Sequence, residues 1–235
     1  IRLTKTVAGG APTKLRETAY QQSRGPALAG KVIVINPARG GTNNGFVANG
    51  VTESEITYDI ATRVEGRLLA LGASVFLTRG PLNDPSESER IQLTNSAEAD
   101  LMISLNCDGY KNEKAHGVAT YSYGSDAHGI HSVVGDRFAS LVQREICART
   151  DLQDCHTHAK TWDLLRLVQA PAVRIDLGYL TNPGDAKRYS GAEFRDLIAE
   201  SLVIAIQRLY LAAEDDAKTG TLRISDLKRA GLRIN

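Results

Sequence analysis

The residues able to do chemistry in this chain gather at the ends of apolar runs. Val32–Ile35 breaks at Asn36-Pro37 into Ala38-Arg39-Gly40-Gly41, and Ser74–Thr78 stops at Arg79. Leu101–Leu105 continues into Asn106-Cys107-Asp108, and the short run 172–177 contains Asp176. In open α/β sheets ligands bind beyond the carboxyl ends of such strands, so amides, guanidinium groups and carboxylates are expected to meet there. The five histidines, His116, His128, His131, His156 and His158, lie outside these ends. His156-Thr157-His158 has an i, i+2 spacing that puts both rings on one strand face. No third ligand accompanies them, and a zinc site there is not expected. Three cysteines are not a disulfide framework. Cys147 and Cys155 could pair in an oxidising compartment; otherwise all three are expected as reduced thiols.

The elements that must position these residues read clearly. Lys31–Ile35 is a buried central strand ending in a tight Gly-Gly loop. Thr52-Glu53-Ser54-Glu55 has the capping-box pattern of a helix start, and a first-turn Glu53 suits the helix dipole in any protein. Ile56, Ile60, Val64, Leu68 and Leu71 form that helix's core face, and Gly72 stops it. Ser86-Glu87-Ser88-Glu89 opens a second helix reaching about Ala97. A strand follows over 117–123, and Phe138, Leu141, Val142 and Ile146 mark another helix. Phe194 to Leu209 carries the apolar period of a long helix ending near Tyr210. Strands alternating with helices predict one α/β domain with a mostly parallel or mixed central sheet, flanked by helices on both faces.

Composition bounds the rest. The chain has 235 residues and a net charge of +1, with no basic field for nucleic acid and no apolar run long enough for a transmembrane segment. Residues 1–30 are Gly- and Pro-punctuated and basic, which predicts a linker or surface arm from an upstream domain; residues 31–212 form the domain. Residues 213–235 turn from acidic to basic and read as a flexible tail. Thr219 and Thr221 lie there beside Glu214, Asp215 and Asp216, as candidate phosphorylation sites. The chain begins at Ile1 and not Met, so the lack of a signal peptide leaves the compartment open, an exported cell-wall location included.

From Lys31 to Tyr210 the order of motifs resembles the zinc-dependent N-acetylmuramoyl-L-alanine amidases of the amidase-3 type. Asn36-Pro37-Ala38-Arg39-Gly40-Gly41 matches the family's Asp-Pro-Gly-His-Gly-Gly, and Glu53 its helix-opening Glu. Thr78-Arg79, Arg90, Asn95 and Ala99-Asp100 match in order. Ser104-Leu105-Asn106-Cys107-Asp108 matches Ser-Ile-His-Ala-Asn, and 175–182 matches Val-Glu-x-Gly-Phe-x-Ser-Asn.

The resemblance implies one zinc held by His, Glu and His, with a Glu as general base on the metal-bound water. Here those positions are Arg39, Glu53, Asn106 and Asp176, so the chain is a degenerate member with only Glu53 kept as a ligand. Arginine has no lone pair for a metal and the Asn amide is a weak zinc ligand, so no metal cofactor is expected. Arg39 is expected either to replace the metal's charge and pair with Glu53 or to be a solvated loop residue. Arg166, Asp176 and Asn182 are expected around a pocket that recognises a muropeptide or is merely a relic.

As function, the resemblance implies a pseudoenzyme that regulates peptidoglycan precursor synthesis. Its expected partners are the enolpyruvyl transferase that starts the pathway, a serine/threonine kinase, and a muropeptide or lipid-linked precursor. The expected place is the cytoplasm or the inner face of the plasma membrane. The alternatives are an active amidase with unconventional ligands and a module that binds muropeptide without cleaving it.

Overall fold

The computed structural model describes residues 27–210. The greater part of the proposed arm, the whole of the proposed tail and both Thr219 and Thr221 lie outside the described residues. The arm's boundary needs one correction. Leu28 is fully buried in the core and its N–H donates to Leu71 O, so the domain begins before residue 30.

The first strand, β1 (Val32–Pro37), is buried on both faces because its side chains are apolar on both, as a central parallel strand requires. Two short strands, β2 (Val47–Ala48) and β3 (Val51–Thr52), form a small hairpin before α1 (Glu53–Ala70). Next come β4 (Ser74–Leu77), α2 (Glu87–Ser96), β5 (Leu101–Asp108), β6 (Val118–Ser125) and β7 (Ile130–His131). Then follow α3 (Val133–Arg149), β8 (Asp154–Lys160), α4 (Asp163–Leu167), β9 (Ala172–Tyr179), α5 (Pro183–Ser190) and α6 (Ala192–Tyr210).

The sheet order is β4-β1-β5-β9-β6-β7, with β8 on β6. β4, β1, β5 and β9 are parallel neighbours, and β6 runs antiparallel to β9. This is the mixed α/β sheet the sequence predicts. Helices α1, α3 and α6 cover one face over the main core, with Ile33, Ile35, Ile56, Phe138, Ile175 and Leu202 fully buried. On the other face α2 and α4 cover a smaller cluster of Val34, Met102, Leu164 and Ala172. The thinner cover leaves a cavity at the carboxyl ends of β1, β5 and β9.

The two capping boxes differ. Ser86 accepts from Glu89 N, and Glu89 reaches back to Ser86 N at 2.7 Å, as the pattern predicts. At α1 the Thr52 side chain makes no cap hydrogen bond, because Thr52 belongs to the β2–β3 hairpin. The helix start is instead held by Glu53, whose own side chain turns into the strand ends. β8, α4 and α5 are additions to the predicted elements; they are short and lack a long apolar period.

Candidate functional site

Asn36, at the end of β1, is buried at 4% exposure and organises the site. Its Oδ1 accepts from Thr78 Oγ1 at 2.6 Å and Arg90 Nη1 at 2.7 Å, and its Nδ2 donates to Ser104 Oγ at 2.9 Å. Ser104 Oγ donates in turn to Asn106 Oδ1 at 2.9 Å. Alternation along β5 puts Ser104 and Asn106 on one face, which is why the chain can run between strands. Two buried arginines hold the loop after β1 by its carbonyls. Arg79 donates to Pro37 O, Ala38 O and Ser54 O, and Arg90 to Pro37 O, Arg39 O and the Asp84 carboxylate. Burial lowers the pKa of both guanidinium groups.

Held this way, the loop puts Arg39 in the left-handed region, at φ +63°. Arg39 Nε then donates to Glu53 Oε2 at 3.1 Å. The same oxygen accepts from Phe46 N at 3.0 Å, and Oε1 accepts from Cys107 N at 3.3 Å. Glu53 is fully buried, whereas the Arg39 side chain is 42% exposed. Gly45 closes the loop over this pair; any Cβ there would run into the Glu53 carboxylate and Arg39 Cγ.

Asp176 faces the same end from β9, paired in register with Asn106. Arg174 Nε donates to its Oδ1 at 2.8 Å, and the Arg174 guanidinium lies 4.8 Å from the Trp162 ring centre. Burial raises the Asp176 carboxyl above its usual range, and Arg174 opposes that shift without cancelling it. The Cys107 thiol is pushed well above its ordinary value by burial, with Glu53 adding to the effect, so it is no thiolate nucleophile.

A cavity of about 720 Å³ opens beside these residues, lined among others by Arg39, Asn43, Arg90, Asn106, Trp162 and Arg174. The structure thus brings Arg39, Glu53, Asn106 and Asp176 to one place. It does not bring Arg166 or Asn182 into the cavity. Arg166 pairs with Asp163 at 2.7 Å on α4. Asn182 caps α5 by accepting from Gly184 N and Asp185 N, and donates to Glu113 O at 2.6 Å. Arg174 and Trp162 are additions to the sequence-derived set. Arg174 is two residues before Asp176 on one strand, hence on its face, and that spacing was a usable signal.

The donor set does not fit zinc. Arg39 offers no lone pair, and both Glu53 oxygens already accept hydrogen bonds. Asn106 Oδ1 is engaged by Ser104. Among the described residues no group of three His, Cys, Asp or Glu side chains converges on one point. The histidines are dispersed: His116 meets Lys114 O, His128 meets Ser125, and His156 lies 3.5 Å from Asp154. His158 stacks on Tyr121 at 5.5 Å. Cys147 and Cys155 are unpaired thiols; burial pushes Cys147 up to about 11.

Residues 33–208 match the family profile of the amidase-3 type, described as N-acetylmuramoyl-L-alanine amidase. N-acetylmuramoyl-L-alanine amidase CwlM of Mycobacterium tuberculosis is 42% identical over 229 residues, covering 96% of this chain and 56% of that protein. N-acetylmuramoyl-L-alanine amidase LytC of Bacillus subtilis is 28% identical over 196 residues, covering 83% of this chain and 38% of that protein. The chain therefore spans about half or less of these two relatives. Among solved structures, amidase AmiC2 of Nostoc punctiforme superposes with a TM-score of 0.69 at 23% identity, covering 76% of this chain and 96% of that one. Ami1 of Mycobacterium smegmatis superposes at 0.65 and 22% identity, covering 78% and 98%. At these identities the likeness is one of fold.

Proposed function

Since the chain belongs to the N-acetylmuramoyl-L-alanine amidase family, we propose that it is a member without hydrolytic chemistry, acting through binding as a regulator of peptidoglycan precursor synthesis. One observation carries the loss of chemistry: the only carboxylate at the family's ligand positions is tied to Arg39 and two backbone N–H groups. A fixed guanidinium charge beside Glu53 repels a dication and satisfies the carboxylate that would bind it. No metal-activated water is then available for Asp176 to deprotonate, and Asp is one methylene shorter than the family's Glu. Losing that chemistry leaves the cavity free to bind, because ligand contacts and metal chemistry use different atoms.

In this reading the partners are the enolpyruvyl transferase of precursor synthesis, a serine/threonine kinase acting on Thr219 or Thr221, and a muropeptide or lipid-linked precursor. The site of action is the cytoplasm or the inner face of the plasma membrane. No helix among the described residues is long and apolar enough to cross a membrane.

Metal content after zinc loading, measured beside release of stem peptide from peptidoglycan, tests the reading. The expected result is no stoichiometric zinc and no cleavage. One zinc per chain with cleavage would overturn it in favour of an active amidase. The triple change Arg39→His, Asn106→His and Asp176→Glu should restore zinc binding to the frame.

A further inference from the structure

The hydrogen-bond chain from Arg90 to Asn106 fixes which atoms face the cavity. A guanidinium carries only donors, so the Asn36 atom that meets Arg90 Nη1 at 2.7 Å is the carbonyl oxygen. The Asn36 amide then donates to Ser104, and in the structure the Ser104 hydroxyl donates to Asn106 Oδ1. Asn106 Nδ2, on a residue lining the cavity, has no hydrogen-bond partner among the described residues. Arg39 and Arg174 each engage a buried carboxylate through Nε, at 3.1 and 2.8 Å. Their Nη groups have no hydrogen-bond partner among the described residues, and both side chains line the same cavity. A metal centre needs converging lone pairs; this cavity is lined instead by side chains with N–H groups to donate.

The geometry points to an oxyanion-binding site, one that takes a phosphate or carboxylate group between Arg39, Asn106 and Arg174. It deepens the binding role proposed above and rests on the metal chemistry being absent. The acids on the cavity wall are accounted for as well. Asp84 is held by Arg90 and Asn43, and Asp163 by Arg166. Glu87 is exposed and has no ion-pair partner among the described residues, so it opposes an incoming anion. Glu53 and Asp176 balance the charge of their arginines. Binding therefore draws on directed, charge-assisted donors more than on a net positive field. A cavity of about 720 Å³ is of the size that ligand sites have.

The chain has a single tryptophan, Trp162, which lines this cavity and lies against Arg174, so its fluorescence reports occupancy. The full chain is titrated with inorganic pyrophosphate, with N-acetylmuramic acid, and with neutral N-acetylglucosamine as control. Saturable binding of pyrophosphate assigns the site to phosphate, saturable binding of N-acetylmuramic acid alone assigns it to carboxylate, and either supports it. Asn106→Asp replaces the free donor by an acceptor and should weaken binding at least tenfold. Asn106→Leu removes the donor without adding charge and should weaken it several-fold. Glu87→Gln should tighten it about twofold. No saturable response to either anion, or affinity unmoved by both Asn106 changes and by Arg174→Gln, would overturn the proposal. Zinc uptake with cleavage would sink the functional reading instead, so the two failures are distinct.

Discussion

Among the described residues two glutamates are fully buried, and their surroundings differ in kind. Glu145, on α3, is held by arginines of the helical layer. Arg144 and Arg208 reach its Oε1 at 3.1 Å each, and Arg149 reaches its Oε2 from one turn on. All three arginine side chains are mostly covered. Glu53 sits at the strand ends, with one arginine that is nearly half exposed and two backbone N–H donors, Phe46 from a loop and Cys107 from β5. The first is a carboxylate over-supplied with cations, tying α3 to α6. The second has the number of donors that a ligand-position carboxylate needs to be quiet, supplied by the segment after β1 and by the end of β5. Burial alone does not mark a site; the elements that supply the partners do.

The largest expected effect comes from breaking the helical cluster. Glu145→Ala removes the buried carboxylate that Arg144, Arg149 and Arg208 all contact, and a loss on the order of 3–5 kcal/mol of stability is expected. Urea unfolding followed by far-UV dichroism checks it; a loss under 1 kcal/mol would mean the arginines are independently satisfied.

Arg39→Ala should cost less, roughly 1–2 kcal/mol, because the exposed guanidinium is screened and two backbone donors remain on Glu53. Equal costs for the two changes would mean that the two buried carboxylates are held alike. The same measurement on Ser86→Ala should show about 1 kcal/mol, since that capping box is formed. Thr52→Ala should be within a few tenths, since its side chain makes no cap bond and Glu53 holds the start of α1. A Thr52 effect as large as that of Ser86 would show that the hairpin and not Glu53 anchors the helix.

The smallest effect concerns pH. Burial raises the Asp176 carboxyl in the folded state, so the folded protein binds that proton more tightly than the unfolded chain. Its contribution is fully favourable below the unfolded pKa of about 3.9 and is lost as pH rises through the folded value. Asp176→Asn should therefore be neutral or stabilising at pH 7, and the difference from wild type should shrink as pH falls toward 4. Thermal unfolding across that range decides it; a variant less stable at pH 7 than at pH 4, relative to wild type, would put the Arg174 pair above burial.

The sequence by itself determined the sheet's central strands, the three long helices, and the set Arg39, Glu53, Asn106 and Asp176. It could do so because apolar periodicity and residue type are local properties, and because the family's motif order runs over most of the chain. It also made plain that the zinc ligands were replaced, since lone pairs belong to residue types. Which atoms face the cavity was decided only in three dimensions. Asn36 and Asn106 are 70 positions apart in sequence, and their amides are oriented by Arg90 on α2 and Ser104 on β5. Tertiary packing likewise turned Arg166 and Asn182 to local duties and brought Arg174 and Trp162 to the site. A side chain's partner depends on which strand ends lie side by side, and no local pattern in the chain encodes that.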